Sequence, residues 1–391
     1  AMSKVGQRER ATQNRIVILF RETLKYSYLG NWEERPDNRN IEENLLRAFL
    51  KERKVSEALI EKALYELNKV AGDQNKSLYD INKEVYGLLR YGVQVQPETG
   101  QNRQTVWLID WQNPLNNHFA IAEEVTVSGQ HYKRADIVLY VNGIALGVLE
   151  LKRSTVSVGE GIRQNLDNQK KIFIQHFFAT LQFVMAGNDT EGLRYATIET
   201  PEKYYLTWKE ESDVENPLDR ALLQLCDKKR FLEIIHDFIV FDAGTKKVCR
   251  HNQYFGVQAA QARVRQREGG IIWHTQGSGK SLTMVWLAKW IREHIQGSRV
   301  LIITDRIELD EQIEGIFTGV GEEIRRTKNG EDLVSKLNAT TPWLIGSLIH
   351  KFVGKEEGDV EGYIQELQKS LPKDFKAKGD LYVFVDECHR T

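Results

Sequence analysis

Cysteine is scarce in this chain, with three residues in 391: Cys226, Cys249 and Cys388. None is paired at a metal-ligand spacing. So few thiols argue against a disulfide scaffold and suit a reducing, cytoplasmic setting. Long apolar runs are also missing. None approaches the roughly 18 residues of a membrane span, and the N-terminus lacks a secretion-signal pattern, so no membrane partner is expected. Neither sign of charge is in excess. Lys+Arg 54 against Asp+Glu 55 leaves a net charge of -1, which is not the signature of a globally basic nucleic-acid binder. Any such contact must come from local patches, for example Arg263, Arg265 and Arg267, or Arg325, Arg326 and Lys328. Internal repeats and low-complexity tracts are absent. Ala1 ahead of Met2 reads as a cloning scar.

What is present is enough chain for two or three domains. Residues 12–70 read as helical, with a polar break at 33–40. Residues 85–152 switch to short strands with turn signals at Pro97–Gly100 and Asn142-Gly143. Helical character returns near 161–178, and further strands are expected at 183–186 and 194–198. Residues 209–240 look like a helical connector. From about 250 the order becomes strand, glycine loop, helix, strand, helix, strand, which is the pattern of a parallel sheet with crossover helices.

Two stretches carry chemistry. In the first, Ile271, Ile272 and Trp273 are expected to form a short apolar strand leading into His274–Ser281. Gly277, Ser278 and Gly279, after Gln276, let backbone N–H groups wrap phosphate oxygens. Lys280 adds a cation, and the Ser281 hydroxyl can reach Mg²⁺. The helix expected from Leu282 onward turns its N-terminus to the anion. His274 breaks the first position of the strict G-x-x-x-x-G-K-[S/T] pattern. About a hundred residues on, an apolar strand ends in Asp386-Glu387, as an ATPase presents one acid to Mg²⁺ and one to the attacking water.

The second stretch is Arg134 to Lys152. Two apolar strands flank Asn142-Gly143, a hairpin signal. Alternation puts Glu150 and Lys152 on one face. Asp136 on the neighbouring strand completes a set suited to metal-assisted phosphodiester hydrolysis. Asp136 and Glu150 would hold Mg²⁺, and Lys152 would serve the water or the phosphate. A two-residue loop pairs Asp136 with Leu149 and turns it away from Glu150. A three-residue loop, Val141 to Gly143, pairs Asp136 with Val148 and keeps the three together, so that loop is the expectation. Helical geometry over 41–50 adds Glu42, in the middle of the apolar stripe, as an acid aimed at the site, with Glu43 at the edge of the stripe.

The order of these motifs resembles superfamily 2 helicases. Gln253, in Arg250–Gln253, stands where that superfamily reads adenine, Arg299–Arg306 resembles its next strand, and Asp386–His389 resembles its DEAH-type box. The resemblance implies that Asp386 holds Mg²⁺ through water, that Glu387 polarises the attacking water, and that His389 couples hydrolysis to the DNA side. Together with Tyr91–Val95, Leu108–Phe119 and Arg134–Lys152, nearly the whole chain resembles the restriction (motor and nuclease) subunit of type I restriction-modification enzymes.

That family implies an α/β chain: a PD-(D/E)-x-K endonuclease-like domain followed by the first RecA-like domain of a superfamily 2 motor. The expected divisions are a nuclease domain at 1–205, a connector at 206–249 and the RecA-like domain at 250–391. Asp136, Glu150 and Lys152 fall on the nuclease motif, with Ala135 in place of its usual proline. Gln164 matches a following Gln-x-x-x-Tyr motif, whose tyrosine is replaced by Asn168. The implied activity is ATP-dependent translocation on double-stranded DNA coupled to cleavage, with ATP and Mg²⁺ as cofactors. The implied partners are methyltransferase (modification) and specificity subunits. The alternative is a repair or remodelling translocase in which the N-terminal domain only binds or docks. Because such motors clamp ATP between two RecA-like domains, the chain by itself is expected to bind nucleotide weakly and not to translocate, while its nuclease fold is expected to be complete.

Overall fold

The computed structural model describes residues 4–275, 277–304, 307–348, 365, 368–369, 371, 373 and 375–386. The chain divides into two compact units, residues 1–240 with 245–251, and residues 241–244 with 252–391.

The first unit opens with α1 (Lys4–Ile18), which runs into a π-helical turn, and then β1 (Ser27–Asn31). Three helices follow: α2 (Glu43–Glu52), α3 (Glu57–Ala71) and α4 (Leu78–Tyr91). Ser56 and Ser77 start α3 and α4 by accepting the N–H groups of Leu59 and Asp80. A small hairpin, β2 (Val93–Val95) with β3 (Gln104–Val106), precedes the main strands. These are β4 (Phe119–Val127), β5 (Lys133–Val141), β6 (Ile144–Leu151), β7 (Phe183–Asn188) and β8 (Gly192–Ala196).

With β1 they form one mixed sheet in the order β1-β4-β5-β6-β7-β8. The pairs β1/β4 and β6/β7 are parallel, and the others are antiparallel. Parallel pairing of β6 and β7 needs a crossover, and α5 (Val158–Asn168) supplies it, packing on both strands. Every residue of β6 is buried, because this central strand is covered on both faces. The short strand β1 falls in a region that reads as helical. Its Ser-Tyr-Leu-Gly-Asn carries little strand signal and owes its conformation to β4. Two helices, α6 (Pro217–Leu225) and α7 (Lys228–Asp237), follow, and β9 (Ile239–Asp242) and β10 (Thr245–Val248) lie at the sequence boundary of the units.

The second unit contains α8 (His251–Gln266), α9 (Lys280–His294), β11 (Ser298–Thr304), α10 (Ile307–Gly319), β12 (Arg325–Arg326), α11 (Gly330–Asn338), β13 (Leu344–Leu348) and β14 (Asp380–Val385). Its four strands are all parallel, in the order β12-β13-β11-β14. An α/β chain with parallel strands is thus what the sequence leads one to expect. The strand expected at Ile271–Trp273 does not form. Ile271 and Trp273 are 73% and 79% exposed, and no described strand pairs with them. Apolar side chains do not make a strand without a hydrogen-bonded neighbour.

Four members of the two basic clusters are ion-paired. Arg263 pairs with Glu268, Arg267 with Asp380, Arg325 with Glu323, and Arg326 with Asp310 and Glu314. No helix among the described residues is long and apolar enough to cross a membrane.

Candidate active site

The β5–β6 turn decides whether the acids of the first unit meet. It is a two-residue turn, with Asn142 at φ 52° and Gly143 at φ 80°, and not the expected three-residue loop. The Asn142 side chain explains why. Its Nδ2 donates to the Leu108 carbonyl at 3.0 Å and to Asn117 Oδ1 at 2.9 Å, and its Oδ1 accepts the His118 N–H at 2.8 Å. This network around the buried Asn142 side chain holds the residue in the left-handed conformation that a two-residue turn requires.

Such a turn alone would send Asp136 to the far face. A β-bulge reverses that. Tyr140 pairs with Ala145 but Leu139 pairs with Gly147, so Leu146 is skipped. From there Ile137 pairs with Leu149, and the register sets Asp136 opposite Glu150, not Val148.

The resulting cluster is tightly bonded. Asp136 Oδ2 accepts the Leu151 N–H at 2.7 Å. Glu150 is 0% exposed. Its Oε2 accepts from Gln164 Nε2 at 3.0 Å, and Gln164 Oε1 accepts from Lys152 Nζ at 2.6 Å. Gln164, on α5, therefore clamps the acid and the lysine together. It can approach because Gly161, one turn earlier, brings α5 down onto Glu150 and Lys152.

Glu150 Oε1 takes no hydrogen bond from any described donor and sits against the Asp136 carboxyl. Burial pushes the Asp136 carboxyl up to about 6, against the opposing pull of the Leu151 N–H, Glu150 and Lys152. Glu150 is driven well above the carboxylate range, first by burial and then by Asp136. Two carboxyls this close share a proton and titrate as a pair. A half-buried acid beside a buried one that has an oxygen lacking a donor is a donor set that fits a hard divalent cation.

Glu124 is a neighbour that the sequence does not single out. It lies across from Asp136 on β4, between the pairs Glu123–Ile137 and Val125–Ala135, at φ 52°. Arg10 and Gln13 of α1 reach its Oε1 at 3.0 Å, and Arg134 Nε stands 2.7 Å from its Oε2. Its charge adds to the upward push on both acids. The local signal was two adjacent acids, Glu123 and Glu124, inside an otherwise apolar strand.

Glu42 does not join this cluster. It is the N-cap residue of α2, beside the hairpin turn, where its N–H donates to the Gly143 carbonyl at 2.7 Å. Arg35 binds both its oxygens, at 3.0 and 2.9 Å. Asp136 is six residue steps from Asn142 along the strand, roughly 20 Å at the rise of a β-strand. The partner that an acid on an apolar stripe needs is thus Arg35. Glu43 accepts from Asn68 at 2.8 Å. Asn168 is buried, and neither of its amide atoms has a partner among the described residues.

In the second unit, the glycine loop leads directly into α9. Gly277 and Gly279 have φ 76° and 85°, Gly279 is the N-cap, and Lys280 and Ser281 form the first turn. Gln253 Nε2 donates to the Gly279 carbonyl at 2.9 Å, and Asn252 Nδ2 to the Ser278 carbonyl at 3.3 Å. Gln253 thus braces the loop. A left-handed glycine loop at a helix N-terminus is an anion cradle. Asp386 closes β14, is 9% exposed, and donates its N–H to the Ile303 carbonyl at 3.0 Å. Arg250 belongs to the first unit. Gln276, Glu387 and His389 lie outside the described residues.

An acid pair beside a lysine on a mixed sheet, followed by a glycine loop at a helix N-terminus, defines an α/β chain with a polar site in each unit. The family described as "Type I restriction enzyme R protein N terminus" matches residues 6–203, just over half of the 391. That described as "SWI2/SNF2 ATPase" matches residues 252–391. The chain belongs to the type I restriction enzyme R protein N-terminal family.

Its relatives include a putative type I restriction enzyme MjaIXP endonuclease subunit from Methanocaldococcus jannaschii, 25% identical over 95% of this chain and 39% of the relative. The SsaAORF53P endonuclease subunit of Staphylococcus saprophyticus is 26% identical over 72% of this chain and 30% of its own length. The HindI endonuclease subunit of Haemophilus influenzae is 25% identical over 79% and 31%. The chain spans between 30% and 39% of the length of these relatives.

Proposed function

We propose that this chain is the N-terminal part of a type I restriction subunit, in which a Mg²⁺-dependent nuclease of the PD-(D/E)-x-K class is joined to the first RecA-like domain of an ATP-driven double-stranded DNA translocase. The proposed division is nuclease at 1–205, connector at 206–249 and motor at 250–391. The observation that carries the reading is the meeting of Asp136 with Glu150, and the bonding of Glu150 to Lys152 through Gln164.

In this reading Asp136 and Glu150 hold Mg²⁺, which supplies Lewis-acid polarisation of the scissile phosphate and a more acidic water. Lys152 stands beside the acids and offsets the charge that gathers on the phosphate as the bond breaks. Gln164 holds the Lys152 amine in place and leaves its remaining hydrogens for water or phosphate. The closed face of α5 excludes bulk water from the Glu150 side, which strengthens each of these interactions. In the second unit, Lys280 and Ser281 bind the ATP phosphates and Mg²⁺ together with the loop of Gly277, Ser278 and Gly279, and Gln276 flanks that loop. Gln253 serves the adenine end, Asp386 serves Mg²⁺, and Glu387 serves the attacking water.

Double-stranded DNA is the proposed substrate, in the cytoplasm, and methyltransferase and specificity subunits are the proposed partners. The test is Lys152→Ala in the full-length subunit assembled with those partners. Loss of DNA cleavage with ATP turnover intact is expected. Retained cleavage overturns the nuclease assignment in favour of a docking domain.

A further inference from the structure

Two segments of the first unit meet beside the acid pair. One is the β4–β5 turn, His131-Tyr132-Lys133. The other is the turn that follows α5, Lys170 to Phe173. They form one surface. A Cβ added at Gly129 would collide with the Phe173 carbonyl. The His131 and Phe173 rings lie 5.9 Å apart, and Lys133 Nζ sits 4.1 Å above the Phe173 ring. Around this half-buried ring the side chains stand outward. Tyr132 is 72% exposed and Ile172 is 46% exposed, and Lys170 and Lys171 are exposed. One acid, Asp167, pairs with Lys170 at 2.6 Å. In a chain of net charge -1, three lysines against this one paired acid, around an exposed tyrosine and isoleucine, make a local excess of positive charge.

The position of this ridge gives it a task. Lys133 is three residues before Asp136 on β5, about 10 Å along the strand. The helix that carries Gln164 runs straight into Lys170. The DNA major groove is about 12 Å wide. A duplex with one phosphate at the acid pair therefore has its groove, and then its opposite backbone, within reach of the ridge. We infer that Lys133, Lys170 and Lys171, with Tyr132 at the tip, grip double-stranded DNA across the groove from the cleaved phosphate. The lysines meet the backbone, and Tyr132 and Ile172 meet sugars or base edges. The inference rests on the cleavage reading, since that reading brings the phosphate to Asp136 and Glu150.

The test is duplex binding, which needs no cleavage. Affinity of the 391-residue chain for a 30-base-pair duplex is measured by fluorescence anisotropy between 50 and 200 mM salt, with Ca²⁺ in place of Mg²⁺. Each phosphate contact contributes about 0.9 to the slope of log affinity on log salt, so Lys170→Ala/Lys171→Ala is expected to make that slope shallower by about 1.8. Over this fourfold salt range the parent then loses about tenfold more affinity than the variant. Lys170→Arg/Lys171→Arg, which keeps the charge, is expected to bind like the parent. Tyr132→Ala is expected to weaken binding and leave the slope unchanged. An unchanged slope in the alanine pair overturns the inference, as does the absence of measurable binding by the parent at 50 mM salt. Loss of cleavage in Lys152→Ala, with ridge variants that bind like the parent, removes the ridge alone. Weakened binding in the ridge variants, with cleavage that survives Lys152→Ala, removes the nuclease reading and leaves a DNA-binding ridge.

Discussion

Asp136→Asn should make the metal-free protein more stable, by an amount the structure sets. Asp136 lies half-buried against Glu150, with its carboxyl raised to about 6 mainly by burial. A carboxyl whose folded value is raised binds its proton more tightly in the folded state. Below about pH 4 both states are protonated, and the group contributes nothing to the pH dependence. Between about pH 4 and 6 the unfolded chain gives up its proton while the folded state holds it, so stability falls, and the loss is complete once pH has risen through the folded value. A shift of this size corresponds to about 3 kcal/mol, and residual solvent access lowers the expectation to about 2 kcal/mol.

Asparagine keeps an oxygen for the Leu151 N–H and removes the charge. In EDTA at pH 7.5 the variant should therefore exceed the parent by about 2 kcal/mol, and at about pH 3 the two should converge. A two-unit chain need not unfold in one step, so the assay is amide hydrogen exchange of β5 and β6, which reports the local opening free energy. Mg²⁺ should then narrow the gap, since only the parent keeps both acids. At tenfold over its dissociation constant it adds about 1.4 kcal/mol. A variant less stable than the parent at pH 7.5, or a difference independent of pH, would refute the reasoning.

Glu42→Gln should leave DNA cleavage by the assembled enzyme unchanged and cost about 1 kcal/mol through the lost Arg35 pair; a collapse of cleavage in a folded variant would return Glu42 to the site. Gly143→Ala should destabilise the first unit by about 2–4 kcal/mol in urea unfolding, because φ is 80° and the new Cβ would lie 2.6 Å from the Glu42 carbonyl oxygen. Lys246→Met should cost about 3 kcal/mol. Lys246 is buried and donates to Asn82 Oδ1 at 2.7 Å and to Gln182 Oε1 at 2.5 Å, and both oxygens would be left without it. Equal stability of parent and Lys246→Met would show that those bonds contribute nothing.

Much was determined locally. The continuous apolar runs of β5 and β6 and the Asn-Gly between them dictate a hairpin, because few other residue pairs enter the left-handed region so readily. Gly277, Gly279 and Lys280 ahead of a helix dictate an anion cradle on the same grounds. Alternation along β6 places Glu150 and Lys152 on one side whatever the rest of the chain does.

The meeting of Asp136 with Glu150 was not local. It depends on a bulge at Leu146, a residue no different in the sequence from the valines and leucines around it, and on Asn117 and Leu108 locking the turn from outside the hairpin. The strand at Ile271–Trp273 failed for a similar reason, since apolar composition does not say whether a neighbour is there to bond. Glu42 had the right periodicity, yet Arg35 answered its charge. Glu124 took its place beside Asp136 through strand register and a left-handed backbone. Period and residue type act over a few residues and are legible along the chain. Register, pairing and the choice of ionic partner are fixed by contacts the local repeat does not encode, such as that of Asn142 with Leu108, and only the folded protein makes them.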